Sequence, residues 1–591
     1  MPLALPTSAD QLDITRWEAI EPYYRQLLDQ PLPDVAAAPS QSASNGQAAP
    51  PDPVRAWLTD WSRLSELVTE SAALLSIAYT QDTEDPARKD AYLHYVREIG
   101  PRLRVADQKL KEKLLASGWD APELATTVHQ FRVDAGIFRD DNVPLLAEEQ
   151  AVAARYSELM GGLTVEFGGA TLTLAQLAPY RAAQARAVRE AAWRSGMERM
   201  LAVRGELDEL FDTLLALRLK IAANAGFQNY RDYKWQQLGR FDYSPEDAAT
   251  FREAIYATVV PALERQSERR AKALGLDGPA GPLRPWDTDV DPHGSEQLRP
   301  FGTGQELSEG SIRIFRQLDP ELGGMVETMQ EEGLLDLDNR KGKAPGGYCA
   351  SLLARGRPFI FMNAVGTEDN VRTMLHEAGH AFHVFDRNPL PFIWQRRSPM
   401  EFAEVASMSM ELLTMPYIES RSGGFYTPAE ALRANIEQLE RIVSFLPYMA
   451  TVDAFQDWLY AQPVHTREER DAAWLGLHQR FCVGTDWTGF EDSRMSLWHH
   501  KQHIFQSPFY YIEYGIAQIG ALQVWRNSLA DAPGALSHYR RALALGGTVP
   551  LNELFGAAGA RLAFDAGMVG ELVTLIEHEI DRLQAQLAEL S

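Results

Sequence analysis

Apolar side chains recur every three to four residues along most of the chain, which is the spacing of α-helices that bury one face. Residues 10–32 give a clear amphipathic example, and residues 54–140 continue through several such helices. Further helices are predicted at 178–202, 204–225, 244–273, 305–334, 427–460, 466–481, 487–505, 508–530 and 567–589. The pattern therefore predicts a mainly α fold.

Two short segments depart from this helical spacing and predict β-hairpins. Leu163, Val165 and Phe167 alternate with polar residues before a Gly-Gly pair, so a hairpin is predicted over 162–174. A second hairpin is predicted over 346–363. An edge strand there could bind an extended peptide through main-chain hydrogen bonds, which would accept many sequences alike, and the alternative is a purely structural ribbon.

Two segments rich in glycine, proline and small residues suggest where the chain divides. Residues 33–53 carry only Asp34 and Asp52 as charged residues and predict a linker or mobile loop, and residues 274–303 predict a long loop or a lobe boundary. The predicted domains are 1–53, an N-terminal helix and flexible linker; 54–303, an N-terminal helical lobe with a small β-hairpin; and 304–591, a catalytic helical lobe.

Composition narrows the classes of partner. With 591 residues, 45% of them hydrophobic, the chain can bury a large core, and its net charge of −24 argues against nucleic acid and anionic membranes. No apolar run is long enough for a transmembrane helix, and the first residues do not resemble a signal peptide. The two cysteines give no disulfide framework, so we expect a cytoplasmic protein. Monomer and homodimer both remain open.

One stretch carries candidate metal chemistry. His376 and His380 are four residues apart, so on a helix their imidazoles share one face and can bind the same Zn²⁺. Glu377 lies beside them and can take a proton from a water molecule at the metal. Apolar neighbours predict that this helix is buried, and Gly379 within it predicts a close approach by another element.

Glu404 is the candidate for a third metal ligand. It lies on a second predicted helix, for which Ser398 fits the N-cap, Pro399 the first position and Glu401 the N3 position of a capping box. Glu401 therefore has a predicted structural role, whereas Glu404 has none and is available to bind metal. The alternative for Glu404 is a buried ion pair.

A metal site with three histidines does not fit the spacing. That class needs a glycine three residues after His380 and a histidine six residues after it, where this chain has His383 and Asp386. His383 can instead support a ligand, or it can be a helix-surface histidine with an ordinary hydrogen bond.

A metal and a base explain attack by water on a carbonyl, but the oxyanion that forms also needs donors, and tyrosine hydroxyls and histidine N–H groups serve this purpose. The segment 503–514 offers His503, Tyr510, Tyr511 and Tyr514. Tyr510 and Tyr514 are predicted to share a helix face, with Tyr511 turned about 100° away. His499 and His500 are predicted to lie on a surface helix, outside the site.

Several motifs together resemble the thimet oligopeptidase and oligoendopeptidase F family of zinc peptidases, and the bacterial oligoendopeptidase F branch most of all. The matching stretches are His-Glu-Ala-Gly-His-Ala-Phe-His from residue 376, Ala-Glu-Val-Ala-Ser from 403, Gly-Gly-Tyr-Cys-Ala from 346, Pro-Phe-Ile-Phe-Met-Asn from 358, and His-Ile-Phe-Gln-Ser-Pro-Phe-Tyr-Tyr-Ile-Glu-Tyr-Gly from 503. The resemblance implies a two-lobed helical zincin-type fold with a deep substrate channel and small hairpins near the site.

The resemblance also implies residue roles. One Zn²⁺ per chain would bind His376, His380 and Glu404, with Glu377 as the base. Tyr514 would stabilise the oxyanion, with Tyr511 as its competitor for that role, and His503 and Tyr510 would contact the substrate. The residues of the 346–363 hairpin expected to contact the peptide are Gly347, Tyr348 and Ala350.

These observations predict a zinc-dependent endopeptidase that hydrolyses internal bonds of short, unfolded oligopeptides. A zinc carboxypeptidase is the alternative among enzymes, because another helical zinc family uses such a motif with a downstream glutamate. A peptide-binding protein without catalysis is the alternative of a different class, and the intact set of His376, Glu377, His380 and Glu404 argues against it.

Overall fold

The computed structural model describes residues 3–33, 52–278 and 281–590 of the chain. The predicted linker 33–53 therefore lies almost wholly outside the described residues. Helices dominate the remainder, which confirms the prediction of a mainly α fold. Among the described residues, no helix is both long and apolar enough to cross a membrane.

Up to Ala273, the part of the chain that the structure describes contains eleven α-helices and one two-stranded hairpin. They are α1 Trp17–Asp29, α2 Pro53–Gln81, α3 Pro86–His94, α4 Gly100–Ala116, α5 Ala125–Ile137, α6 Asn142–Gly161, β1 Thr164–Phe167, β2 Ala170–Thr173, α7 Ala178–Arg181, α8 Arg186–Ala202, α9 Arg204–Asn224, α10 Tyr230–Gln237 and α11 Pro245–Ala273. A π-helical stretch, Tyr95–Ile99, joins α3 to α4.

The second half continues with α12 Gly304–Leu318, α13 Pro320–Glu331, β3 Leu335–Asp338, β4 Tyr348–Leu352, β5 Arg357–Ala364, α14 Glu368–Arg387, α15 Met400–Leu413, α16 Pro428–Ala461, α17 Arg467–Phe481, α18 Glu491–Met495, α19 Gln502–Gln506, α20 Tyr511–Ala530, α21 Ala532–Leu545, α22 Leu551–Ala557 and α23 Ala566–Leu590. A 3₁₀ helix, Ser496–His500, lies between α18 and α19.

The boundaries of the long helices agree with the sequence where local capping residues fix them. Ser244 caps α11 in a reciprocal capping box with Asp247, as its position predicted. The single helix predicted over 487–505 is wrong, because that stretch contains α18, the 3₁₀ helix and α19 as three short pieces.

Both predicted hairpins are present. β1 pairs with β2 in an antiparallel hairpin, and β4 pairs with β5 in another. The second hairpin belongs to a three-stranded sheet in the order β3-β5-β4, because β3 adds to the far side of β5 as a parallel strand. β4 is therefore an edge strand of this sheet.

The described residues pack into two compact units, each made from three segments of chain. The first unit draws on Met1–Phe138, Arg299–Pro428 and Gly520–Leu562, and the second on Arg139–Leu298, Ala429–Ile519 and Ala563–Ser591. These interleaved segments differ from the consecutive domains 54–303 and 304–591 expected from the sequence. The difference arises because helix packing groups segments that are far apart in the chain.

In the first unit, an aromatic core joins the N-terminal helices to the loop after α14. The rings of Trp61 and Trp394 are 4.4 Å apart between centroids, and Phe131 meets Trp394 edge to face at 5.4 Å. Trp57 and Trp61 are completely buried. Helices α14 and α15 pack side by side in this unit, and α14 also packs on β4 and β5.

In the second unit, α11 packs along the C-terminal helix α23, and α6 packs along α9. A separate aromatic cluster surrounds Trp193 and Trp286, whose ring centroids are 5.6 Å apart. Cys482 of this unit and Cys349 of the first unit are both free thiols.

Candidate active site

The three predicted metal ligands converge in the first unit. The imidazoles of His376 and His380 lie on one face of α14, and the Glu404 carboxylate reaches them from α15. Glu404 Oε2 is 3.4 Å from His376 Nε2 and 3.7 Å from His380 Nε2. Ligand atoms around a tetrahedral Zn²⁺ stand about 3.3 Å apart, given metal–ligand distances of about 2.0–2.1 Å. The three side chains are therefore suited to hold such an ion.

The candidate ligands leave one side open. The side chains of His376 and His380 are 21% and 22% exposed, whereas Glu404 is only 6% exposed. Burial lowers the pKa of His380 to about 4, so this imidazole is neutral at neutral pH and has a lone pair to donate. An accessible side is what a catalytic metal site needs, because water and substrate must reach the fourth position.

A fourth residue, Glu411, contacts the cluster and was not predicted from the sequence. Its Oε1 is 2.7 Å from Nδ1 of His376, on the side of the ring away from Glu404. Burial alone would lower the pKa of His376, but its contacts with Glu404 and Glu411 outweigh burial and raise it. A carboxylate on the outer nitrogen fixes the tautomer and orientation of a metal-binding imidazole. In the sequence, Glu411 could have been found from its position seven residues after Glu404, because two helical turns place both side chains on the same face of α15.

Glu377 lies beside the three candidate ligands but is not one of their converging group. It follows His376 on α14, is buried, and lies outside the group of converging ligand atoms. Its Oε2 is buried and has no hydrogen-bond partner in the described structure. Burial is the main cause that raises the pKa of Glu377 to about 7, with Glu404 and Glu411 adding to the rise and His376 opposing it. A buried carboxylate oxygen without a hydrogen bond costs free energy unless a bound ligand donates one to it.

Gly379 confirms the predicted close approach between helices. A Cβ added to this residue would lie 2.6 Å from the carbonyl oxygen of Ala406 and 2.6 Å from the Cα of Ser407. Both of those atoms belong to the backbone of α15, so neither can move aside as a side chain would. Tyr539 donates a hydrogen bond of 2.8 Å to the same Ala406 carbonyl. Glycine at this position lets the two ligand-bearing helices touch.

The predicted capping of the second ligand helix is wrong. α15 begins at Met400, and Pro399, not Ser398, precedes its first residue. The Ser398 hydroxyl is instead 2.8 Å from Nε2 of His383, whose ring is buried. His383 is thus a core histidine with a local hydrogen bond, and it lies outside the metal-binding group.

The predicted peptide-contacting residues of the hairpin lie at the sheet edge. Ala350 is in β4 opposite Phe359 of β5, and Gly347 immediately precedes β4. The Tyr348 hydroxyl is 2.6 Å from Thr80 Oγ1, and its ring stacks on Phe361 with centroids 4.9 Å apart. Tyr348 therefore has structural contacts of its own, and the role of all three residues in binding peptide stays a prediction.

The predicted oxyanion and substrate residues belong to the second unit. His503 lies among three tyrosines, with ring-centroid distances of 5.9 Å to Tyr510, 5.0 Å to Tyr511 and 5.8 Å to Tyr514. α20 begins at Tyr511, so Tyr510 precedes the helix instead of sharing one of its faces with Tyr514 as predicted. Tyr511 is buried, whereas Tyr510 and Tyr514 are half-buried and more accessible to a ligand.

Buried polar side chains fix the backbone of this segment. Arg218 is completely buried and donates to the carbonyls of Ile504 and Phe505, at 3.1 and 2.5 Å. Phe509 has a φ of 65°, which is rare for a residue with a side chain. Arg240 donates to the Phe509 carbonyl at 2.5 Å, and Gln456 accepts from the Phe509 N–H at 2.7 Å. These contacts hold a strained turn at the entrance to α20.

Arg240 also forms an ion pair of 2.8 Å with Glu513, and both side chains are 1% exposed. Glu513 lies one residue before Tyr514, so this buried pair fixes the first turn of α20. Pro508 was the one hint of this irregular turn in the sequence.

His499 and His500 are not on a surface helix, which corrects the prediction from the sequence. They end the 3₁₀ helix, and His499 is 1% exposed. The His499 ring stacks on Trp498 with centroids 3.7 Å apart, and its Nε2 is 3.1 Å from Asp208 Oδ1. Burial lowers the pKa of His500 to about 4. His499 therefore belongs to the protein core, and His500 beside it is half-buried.

Comparison with known proteins identifies a family. The profile of "Peptidase family M3" matches residues 180–574. Group B oligopeptidase PepB of Streptococcus agalactiae is 28% identical over 167 residues, 27% of this chain and 26% of that protein. An oligoendopeptidase F homolog of Lactococcus lactis is 28% identical over 160 residues, 27% of this chain and 25% of that protein. These alignments thus span about a quarter of each curated relative.

A solved structure extends the likeness to nearly the whole chain. PZ peptidase A, solved with inhibitor 2, has a TM-score of 0.86 and 27% identity, covering 96% of this chain and 97% of that one.

Proposed function

The chain belongs to peptidase family M3, and from this premise we propose that it is a zinc-dependent endopeptidase. Its proposed substrates are short, unfolded oligopeptides, which it cleaves at internal bonds. The observation that carries the proposal is the convergence of His376, His380 and Glu404 beside the buried carboxylate of Glu377.

The donor set fits Zn²⁺. Two imidazole nitrogens and one carboxylate oxygen are the ligands of several catalytic zinc sites, and they leave one position open. Glu411 would orient His376 through its Nδ1 contact. Bound zinc would supply Lewis acidity, which polarises the scissile carbonyl and makes water more acidic.

Glu377 is proposed as the general base and then the general acid. Its carboxylate accepts a proton as water attacks the peptide carbonyl, and later gives that proton to the leaving amine. Its exposure of 7% keeps bulk water away from the transferred proton. The unpartnered Oε2 is available to hold the attacking water by a hydrogen bond.

Tyr514 is proposed as the donor to the oxyanion, with His503 and Tyr510 as substrate contacts. The half-buried state of Tyr510 and Tyr514 supports these roles over Tyr511, whose ring is packed between Phe445 and Tyr448. The edge strand β4 is proposed to pair with the main chain of an extended substrate, with Gly347, Tyr348 and Ala350 near that edge.

The test uses peptides blocked at both ends, so that only internal bonds can be cut. The protein is stripped of metal with a chelator, assayed, and assayed again after one equivalent of Zn²⁺ is added. We expect internal cleavage to vanish and then return. Cleavage that persists without metal would contradict the metallopeptidase, and cleavage only of peptides with a free C-terminus would support the carboxypeptidase alternative instead.

A further inference from the structure

Lys501 lies against the tyrosine cluster of the second unit. It connects the 3₁₀ helix Ser496–His500 to α19, two residues before His503. Its Nζ is 3.8 Å from the ring centroid of Tyr511 and 5.5 Å from that of Tyr448. At these distances an ammonium is attracted by the faces of both rings.

Among the described residues, no carboxylate balances the charge of Lys501. Burial is the sole cause that lowers its pKa, to about 8, and no acidic group opposes the shift. Two other buried cations of the same unit are paired, Arg218 with Glu149 at 2.7 Å and Arg240 with Glu513 at 2.8 Å. Lys501 remains mostly protonated at neutral pH and keeps part of its surface exposed.

The position of Lys501 relates it to the proposed substrate contacts. The Tyr511 ring that lies under its ammonium is 5.0 Å from the His503 ring, and His503 is next to Tyr510 and Tyr514. A ligand that reached His503 would therefore approach the same Tyr511 ring on which the ammonium lies. An anion on that ligand would gain an ion pair in a partly desolvated place, where such pairs are stronger than in water.

We propose that Lys501 binds a carboxylate of the peptide substrate, supplied by its C-terminus or by an acidic side chain. The proposal deepens the proposed function and rests on it, because it assumes that the His503 and tyrosine cluster contacts substrate. Lys501 would thus determine specificity: peptides bind best when a carboxylate stands at the distance that lets it reach this ammonium.

The experiment uses three peptides of one sequence, without acidic side chains except where stated. The first has a free C-terminal carboxylate, the second a C-terminal amide, and the third a C-terminal amide with glutamate scanned through the positions after the cleaved bond. Each is assayed for kcat/KM with the zinc-loaded wild type, Lys501→Met, Lys501→Arg and Lys220→Met. Lys220 is an exposed lysine of the same unit and serves as the control.

We expect the wild type to prefer at least one carboxylate-bearing peptide over the amide by about 10- to 100-fold, the effect of one charge-assisted hydrogen bond. Lys501→Met should abolish that preference and leave cleavage of the plain amide peptide as in the wild type. Lys501→Arg and Lys220→Met should retain the preference. The first and third peptides distinguish a C-terminal from a side-chain carboxylate.

The proposal is overturned if the wild type does not distinguish the peptides, or if the preference survives in Lys501→Met. Because the first of these comparisons changes only the substrate, it holds even if the methionine variant folds poorly. Dissociation constants of the same peptides, measured by calorimetry in a Glu377→Gln background with and without Lys501→Met, separate the two proposals. If carboxylate-bearing peptides bind more tightly but the wild type cleaves no peptide, the result would contradict the proposed peptidase activity and still support carboxylate binding by Lys501.

Discussion

Both ring nitrogens of His376 are engaged by carboxylates from the same helix. Glu404 approaches Nε2 at 3.4 Å, and Glu411, two turns further along α15, lies 2.7 Å from Nδ1. This arrangement assigns different tasks to two similar residues. Glu404 can bind the metal, whereas Glu411 can act only through the imidazole that it orients.

Replacing Glu411 with glutamine should therefore weaken metal binding without removing a ligand. We expect zinc affinity to fall by about 10- to 100-fold, the usual effect of losing such an outer contact. Competition with a fluorescent zinc chelator measures it. Glu401→Gln is the matched control, because Glu401 is a glutamate of α15 that is even more buried than Glu411 and lies outside the group of candidate metal ligands. Equal losses in both variants would show that burial, not the His376 contact, is responsible.

Tyr514→Phe removes one hydroxyl and little volume. If that hydroxyl stabilises the oxyanion, kcat should fall by about 10²–10³-fold. KM should change little, because the contact strengthens mainly in the transition state. Steady-state kinetics on a blocked peptide give both values. Tyr511→Phe should be mild, since Tyr511 packs against Phe445 and Tyr448; a reversal of the two results would assign the role to Tyr511.

At the scale of residues, the sequence predicted the three side chains that converge, His376, His380 and Glu404, but not the contact of Glu411 with His376. His376, His380 and Glu404 were found because their spacing follows from helix geometry and zinc chemistry. Ser398 was assigned as a helix cap from local pattern alone, yet its hydroxyl bonds to His383, fifteen residues away in the chain. Capping rules consider only neighbouring residues, so they cannot predict that a tertiary contact will take the Ser398 hydroxyl away from the helix end.

At the scale of elements, the site depends on how closely α14 approaches α15. Gly379 stands at their contact, one residue before His380, and its neighbours across the interface are backbone atoms of Ala406 and Ser407. Any side chain there would separate the two helices. The distance between the imidazoles and Glu404 is therefore set in part by the absence of a side chain at residue 379.

Gly379→Ala tests this contact. The added methyl would lie 2.6 Å from backbone atoms, so we expect a loss of about 1–3 kcal/mol in the free energy of unfolding, together with weaker zinc retention. Gly324→Ala is the control, because Gly324 lies within α13 and an added Cβ would meet nothing within 4 Å. That change should be neutral or stabilise the protein by about 0.5–1 kcal/mol. Denaturant unfolding and zinc analysis measure both; a neutral Gly379→Ala would show that the helices do not need a glycine at their contact.

The irregular elements were harder to predict than the long helices. α11 and both hairpins follow from capping residues, alternation and glycine pairs. The break of 487–505 into short pieces does not follow from local pattern, because it is stabilised by contacts with α9, which is far away in the chain: Arg218 bonds to Ile504 and Asp208 to His499. The turn at Phe509 likewise depends on Arg240 and Gln456.

At the scale of the whole molecule, the helical class was predictable and the grouping of segments was not. Helical periodicity is a local property, so it predicted the fold class from the sequence. The units join segments such as Met1–Phe138 and Gly520–Leu562, which only tertiary packing brings together.

The proposed main-chain pairing along β4 predicts selection by substrate conformation. β4 spans Tyr348–Leu352, and an extended peptide with free N–H and C=O groups can pair with such an edge. A folded protein has already paired most of its backbone groups. We therefore expect rapid cleavage of short unstructured peptides and of an unfolded protein, but not of the same protein when folded. Mass analysis of the products over time measures these cleavage rates. Rapid internal cleavage of the folded protein would contradict selection by substrate conformation.

The most direct test of the central claim is the zinc content and turnover of Glu377→Gln, measured on the same preparation. Glu377 lies beside the metal-binding group but outside it, and its carboxylate is the proposed base. We predict one zinc per chain, unchanged peptide binding, and a loss of several orders of magnitude in kcat. Loss of the metal would make Glu377 a ligand, and retained turnover would show that the proton is taken by another group; either result would contradict the proposed mechanism.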